Sequence, residues 1–279
     1  MPDLLGVFEK RWKYIIGLTT IATLIALAAA LLSPKKYLST ATALPANSLV
    51  ADKARLFGDN IQALYSDLGT IDELDKFEGT GMLDTIFIAT ASELNLADHY
   101  QIPDQGEGLY KAAIQLKKNS SISRSGYGEL KIKVWDEDRN LAADLANSLL
   151  SKIQDVQQHL LSQINTTVLQ RIRQDLLEKQ VAYKTINDSL GRPTGADEEI
   201  VRAKKTVLLE ELERDEKMVD EYQLAIDTNP PALLTVEKAR ASLWPDKPKV
   251  LATVLISFFA ALVFSFLMVL FMDSRKISK

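Results

Sequence analysis

Two charge-free apolar blocks, one near each end, constrain this 279-residue chain more than any other feature. No charge lies between Lys13 and Lys35, and the apolar heart there, Tyr14 to Leu32, runs for 19 residues. The second block, Val250 to Met272, places 23 uncharged residues between Lys249 and Asp273. An α-helix rises about 1.5 Å per residue, so roughly 20 apolar residues cross a hydrocarbon layer of about 30 Å. Both blocks pass, whereas a buried core helix would be shorter and interrupted by polar positions. A signal peptide is the other reading of the first block, since Lys10, Arg11 and Lys13 precede it. Its apolar run is longer than an ordinary h-region, and no polar segment precedes a cleavage site. Two membrane spans are expected.

Two spans put both ends on one side. Lys10, Arg11 and Lys13 flank the first, and Arg275, Lys276 and Lys279 follow the second, so the positive-inside rule places both ends in the cytoplasm. The bias is modest, because Lys35, Lys36, Lys247 and Lys249 occupy the opposite flank. Small residues recur every four positions in each span: Ala22, Ala26 and Ala30, then Ser257, Ala261 and Ser265. Such a face lets helices approach closely in lipid, although an Ala-rich segment produces the same spacing by chance.

The 217 residues between the spans, 33–249, are too many for a linker. Outside them lie six basic and three acidic residues, so of the chain's 33 Lys+Arg and 37 Asp+Glu this region keeps 27 and 34. It is acidic and charge-rich, with no basic face for nucleic acid. With no Cys in the chain there can be no disulfide, thiolate metal site or thiol nucleophile.

The segment Tyr37–Leu44 alternates and is rich in Thr, so it reads as a strand leaving the first span. Helices are expected at Asp52–Asp67, Gly81–Tyr100 and Glu107–Lys118. Glu129–Trp135 is the clearest strand, with Leu130, Ile132 and Val134 on one face and Lys131 and Lys133 on the other. The carboxylates of Asp136, Glu137 and Asp138 then suit a helix N-terminus, by capping and by dipole attraction. Calcium is the rival reading of that triplet, but no EF-hand loop and no second acidic cluster accompanies it.

From Arg139 apolar residues recur every three or four positions for about 50 residues, up to the break at 191–195. A second periodic stretch runs from Asp197 to Asp227. Two amphipathic helices about a Gly/Pro break make an antiparallel hairpin, whose long arm would reach about 75 Å. So narrow a hairpin exposes apolar residues unless a neighbour covers them, and self-association supplies one. The chain returns through Ala232–Glu237, expected to pair with Tyr37–Leu44. Pro245 and Pro248 then favour an extended approach to the second span, with Trp244 as an interfacial anchor.

The two histidines lie sixty positions apart, and no HExxH, GxSxG or P-loop pattern occurs. No nucleophile is assembled with a base, so the expected protein is a non-enzyme without catalytic, metal or cofactor sites. The expected fold is an α+β membrane protein. Residues 1–13 form a cytoplasmic N-terminus, 14–32 the first span, 33–138 and 229–249 an α/β base, 139–228 the hairpin, 250–272 the second span and 273–279 a cytoplasmic tail.

This layout resembles the Wzz-like polysaccharide co-polymerases, the chain-length determinants of bacterial surface glycans. That family often shows Ala followed by Pro at three, six and nine positions before the last span. Here Ala239 is followed by Ser242, Pro245 and Pro248, with Lys249 next, so only the first proline is missing. Leu130–Leu150 is similar to the family's strand, acidic turn and helix start, carried by Asp138, Ala142, Ala143, Ala146 and Asn147. The chain departs from the family in having no glycine between Val250 and Met272. The resemblance implies an inner-membrane regulator with a large periplasmic domain that forms a ring-like homo-oligomer. Its implied partners are an integral-membrane polysaccharide polymerase, lipid-linked glycan and membrane lipid, with no cofactor. With no P-loop and no tyrosine cluster after Met272, the chain is more like the kinase-independent lipopolysaccharide type that sets O-antigen length. An extracytoplasmic sensor or ligand-binding module, and a structural adaptor in an export machine, are the alternatives.

Overall fold

A computed structural model describes residues 4–46, 71–103, 106–189 and 197–277. The elements in chain order are α1 (Leu4–Leu32), β1 (Lys36–Pro45), α2 (Ile71–Gly81), α3 (Asp84–Glu93), α4 (Leu96–His99), α5 (Gly108–Lys118), β2 (Ser120–Arg124) and β3 (Leu130–Asp136). They continue as α6 (Arg139–Ser189), α7 (Asp197–Thr228), β4 (Leu233–Glu237), β5 (Pro245–Lys247) and α8 (Val250–Ile277). The fold is mixed helix and sheet, with a 51-residue helix and two apolar terminal helices.

The apolar blocks form α1 and α8, each long and apolar enough to cross a membrane over Trp12–Leu32 and Val250–Val269. Only 17% and 6% of these stretches is buried within the chain, so neither behaves as a core helix. Ile21, Leu24, Ile25, Ile256, Phe259 and Phe264 all point outward, a surface that hydrocarbon satisfies and water does not. Ile15 meets Val269, and Thr19 meets Ser265 four residues further in and four residues earlier, so the two helices pack antiparallel.

The base is an antiparallel sheet in the order β2-β3-β1-β4, with β5 also pairing β1. The expected pairing of the first strand with the return strand is present: Ala43 faces Thr235 and Leu44 faces Leu234. Strand β1 pairs β3 on its other edge, Ser39 facing Val134 and Ala43 facing Leu130. Directly opposed residues share a face, so Ser39, Ala41 and Ala43 line up with Val134, Ile132 and Leu130, and Ile122 of β2 completes the row. That row is buried beneath helices, and Phe87, Leu116, Leu145, Leu149 and Ile153 fill the space above it.

The sequence-expected elements differ from these in three places. The helix expected across Gly81–Tyr100 is two helices, because Asn95 takes a left-handed conformation (φ 48°) that Asn tolerates better than most residues. Helix α2 lies where none was expected, its Leu74 and Phe77 being too few among Asp, Glu and Gly to show a period. Gly81 ends it, and a Cβ there would come within 2.9 Å of Ile153 Cδ1 on α6, so any larger residue must push Ile153 and Ile122 aside. Strand β2 also escaped, since Ile122 is its one apolar residue; it forms the sheet edge in a hairpin with β3. The helix expected at Asp52–Asp67 and the break at 191–195 lie outside the described residues.

Helix α6 begins on the sheet and leaves it. Up to about Val156 it packs on the base core; beyond that its neighbour is α7. Between the two arms Lys179 Nζ reaches Asp215 Oδ2 at 2.6 Å, and also contacts Asp175 and Glu211. Arg173 bonds Gln223 in the same seam.

Candidate functional site

The two stretches that carried the resemblance, one at the start of α6 and one before α8, meet in the structure. Asn147 sits on the face of α6 turned toward the sheet. Its side-chain amide donates to the Ala239 carbonyl at 3.1 Å, and its amide oxygen accepts from the Ala239 N–H at 2.9 Å. A carboxamide is the one neutral side chain that offers donor and acceptor in this fork, so it serves both backbone groups of an otherwise unpaired residue. Ala239 is itself buried. These partners are 92 positions apart.

Small side chains make the contact possible. Ala142 and Ala146 are fully buried and Ala143 nearly so, on the α6 face above β1. Strand β1 presents Ala41 and Ala43 there, also fully buried. Alanine against alanine brings the helix close enough to the sheet for the short Asn147 side chain to span the gap. The helix starts with its acidic turn: Asp138 Oδ1 accepts from Asn140 N at 2.8 Å and Leu141 N at 3.4 Å, an N-cap. Asp136 does something else. It is 2% exposed and accepts from Tyr100 Oη at 3.1 Å, His99 Nε2 at 3.0 Å and Asp138 N at 3.0 Å. Burial, then the adjacent Asp136 carboxylate, pushes the Tyr100 phenol well above its usual range, which keeps it a donor.

After Ala239 the chain is fastened at three more points. Ser39 Oγ donates to the Arg240 carbonyl at 2.9 Å. Pro245 pairs with Tyr37 and Lys247 with Lys36 in the β5–β1 ladder. Asp246 Oδ2 accepts from Trp135 Nε1 at 2.8 Å, while Lys247 Nζ stands 4.1 Å from the Trp135 ring centre, a cation–π contact. Residues 239–247 thus form a strap tied to β1, β3 and α6, and α8 starts three residues beyond it. Pro248 is half-buried, and Lys249 is exposed with its carbonyl accepting from Thr253 N.

In the spans, Ala30 and Ser265 are buried, while Ala22, Ala26, Ser257 and Ala261 are half-buried. The Ser265 hydroxyl stands 3.0 Å from that of Thr19, and each also bonds the carbonyl four residues back in its own helix, those of Ala261 and Ile15. Each hydroxyl has one proton, so one of them turns it across the interface.

Sequence reading did not single out Ser39, Trp135, Asp246, Lys247, Thr19 or the Asp136 cluster as site residues. A Trp closing a strand and an Asp-Lys pair between prolines were the available signals, but nothing local joined them. Among the described residues no three His, Asp or Glu side chains gather as a metal-binding group.

No family model matches the chain, and no curated protein matches it. Among solved structures, the chain is similar to a full-length bacterial polysaccharide co-polymerase, at 14% identity and a TM-score of 0.41, covering 99% of this chain and 98% of that one. It is also similar to a fragment of WzzB, a polysaccharide co-polymerase from Salmonella Typhimurium, at 12% identity and a TM-score of 0.32, covering 77% of this chain and all of that one.

Proposed function

We propose that this protein is a non-catalytic inner-membrane regulator of surface polysaccharide chain length. It would act as a homo-oligomer beside an integral-membrane polymerase whose glycan is O-antigen-like. One observation carries the reading: Asn147 holds Ala239 by two hydrogen bonds. Those residues belong to the two sequence stretches that resemble the chain-length determinants, and their bond ties the long helix to the strap before the second span. A regulator without chemistry of its own must act through shape, and this junction links the projecting hairpin to the membrane. In this reading residues 33–138 and 229–249 form a periplasmic base, 139–228 a projecting hairpin, and both chain ends face the cytoplasm.

The test is deletion of the gene in its bacterium, with surface glycan resolved on a gel. Loss of the preferred length, restored by the wild-type gene, supports the proposal; an unchanged length distribution in every surface polymer overturns it. Orientation has its own check, because the chain holds no cysteine. A Glu178→Cys variant, at an exposed hairpin position, should react with a membrane-impermeant maleimide from the periplasmic side.

A further inference from the structure

The contact between α1 and α8 is uneven, and toward the Lys13 end the two helices leave a groove of about 420 Å³. Its walls are Tyr14, Gly17 and Leu18 on one helix and Ser265, Met268 and Val269 on the other, with Lys13 at its mouth. Gly17 holds the groove open: a Cβ there would meet nothing within 4 Å. The volume falls within the roughly 300–1,000 Å³ of ordinary small-ligand sites. The lining is apolar while the rim is cationic, and Lys10 and Arg11 precede Lys13 in the sequence. A long ammonium side chain at the end of a span reaches the headgroup layer while its stem stays in hydrocarbon. Apolar walls and a cation at the headgroup level together match one amphiphile, a chain with a phosphate at its end.

We propose that this groove is a binding site for an anionic phospholipid, with one acyl chain between α1 and α8 and the headgroup phosphate on Lys13. The site rests on the membrane-spanning reading of α1 and α8 and is independent of any role in glycan synthesis. A basic residue at the surface contributes about 1 kcal/mol toward anionic lipid, which is about fivefold in retention.

The full-length protein, reconstituted in equimolar phosphatidylglycerol and phosphatidylcholine and released for native mass spectrometry, tests this directly. The wild type should retain phosphatidylglycerol about fivefold over phosphatidylcholine. Lys13→Gln should abolish that preference, while Lys35→Gln, the same charge change at the other end of α1, should leave it intact. Gly17→Leu, which places a bulky apolar side chain on the groove wall, should lower retention of both lipids. Equal retention of the two lipids by the wild type, or equal effects of the two lysine variants, overturns the proposal. So does undiminished retention in Gly17→Leu. Failure of the membrane-spanning reading would look different, as protein released from membranes by an alkaline wash.

Discussion

The base and the hairpin are built from the same kinds of residue but are stabilised differently. In the base, the sheet and the helices packed on it bury Leu130, Ile132, Val134, Leu145, Leu149 and Ile153 completely. Along α6 after Ile153 and along α7, Leu169, Leu212 and Asp215 alone are buried among the described residues. Leu160, Ile164, Leu177, Val181, Ile200 and Val207 stay exposed on those arms. The contrast teaches that the base closes its own core, whereas two helices side by side cannot enclose one. The apolar surface left on the hairpin therefore needs a neighbour, and a second copy of the chain is the one we propose.

The largest expected effect sharpens this division. Ile132→Ala, in the fully buried row of β3, should cost about 2–5 kcal/mol in chemical denaturation. Leu177→Ala, at a position 62% exposed, should move the stability of the monomer by no more than about 0.5 kcal/mol. Light scattering of the detergent-solubilised protein should nevertheless show the Leu177 variant as a smaller assembly. Equal stability losses at the two sites would erase the distinction between base and hairpin.

Next in size are the junctions. Asn147→Ala leaves the buried Ala239 N–H and carbonyl without their partner, and about 1–3 kcal/mol of stability should be lost. Asn147→Asp keeps the acceptor but faces a carboxylate oxygen to the Ala239 carbonyl, so it should do no better than alanine. Thermal unfolding of the three proteins measures both. Gly81→Ala should cost a similar amount, because Ile153 and Ile122 must yield to the added methyl.

Smaller effects belong to charge. On the hairpin, Lys179 is held well above its usual range, chiefly by its hydrogen bond to Asp215. Side chains cover Asp215, yet water is only one side-chain layer away on so thin an arm. Lys179→Met should therefore cost about 1 kcal/mol, well short of the 3–5 kcal/mol for breaking a pair deep in a core. In the base, hydrogen bonds from Lys152 and Lys131 hold the carboxyls of Glu93 and Glu129 below their ordinary values. A depressed folded value stabilises the protein above the unfolded pKa, about 4.3, and that contribution is lost as pH falls through the folded value. Both pairs keep a quarter to a half of their side-chain surface in water, so the acid-side decline in Tm that Lys152→Met removes should correspond to less than about 1 kcal/mol.

Much of this architecture is legible in one dimension. The spans follow from length and absence of charge, α6 from a period sustained over some fifty residues, and β3 from strict alternation between apolar residues and lysine. Each is a local signal, written in neighbours a few positions apart, and backbone geometry turns it directly into an element. The broken helix at Asn95 and the sparse pattern of α2 show where that signal thins.

The site is a different matter. Asn147 and Ala239 could be named from a resemblance, but that one grips the other's backbone depends on α6 settling onto β1 through Ala142, Ala146, Ala41 and Ala43. Trp135 with Asp246 and Lys247, and Thr19 with Ser265, join positions separated by 111 and 246 residues in the two hydrogen-bonded cases. No periodicity spans such distances. The sequence by itself determined the two apolar spans, the long α6 and the alternating β3, though not α2 or β2, because those strong signals are made by local backbone and solvation energies. Tertiary structure alone decided which polar groups meet, because each of those contacts forms only where packing brings segments distant in sequence within reach of one another.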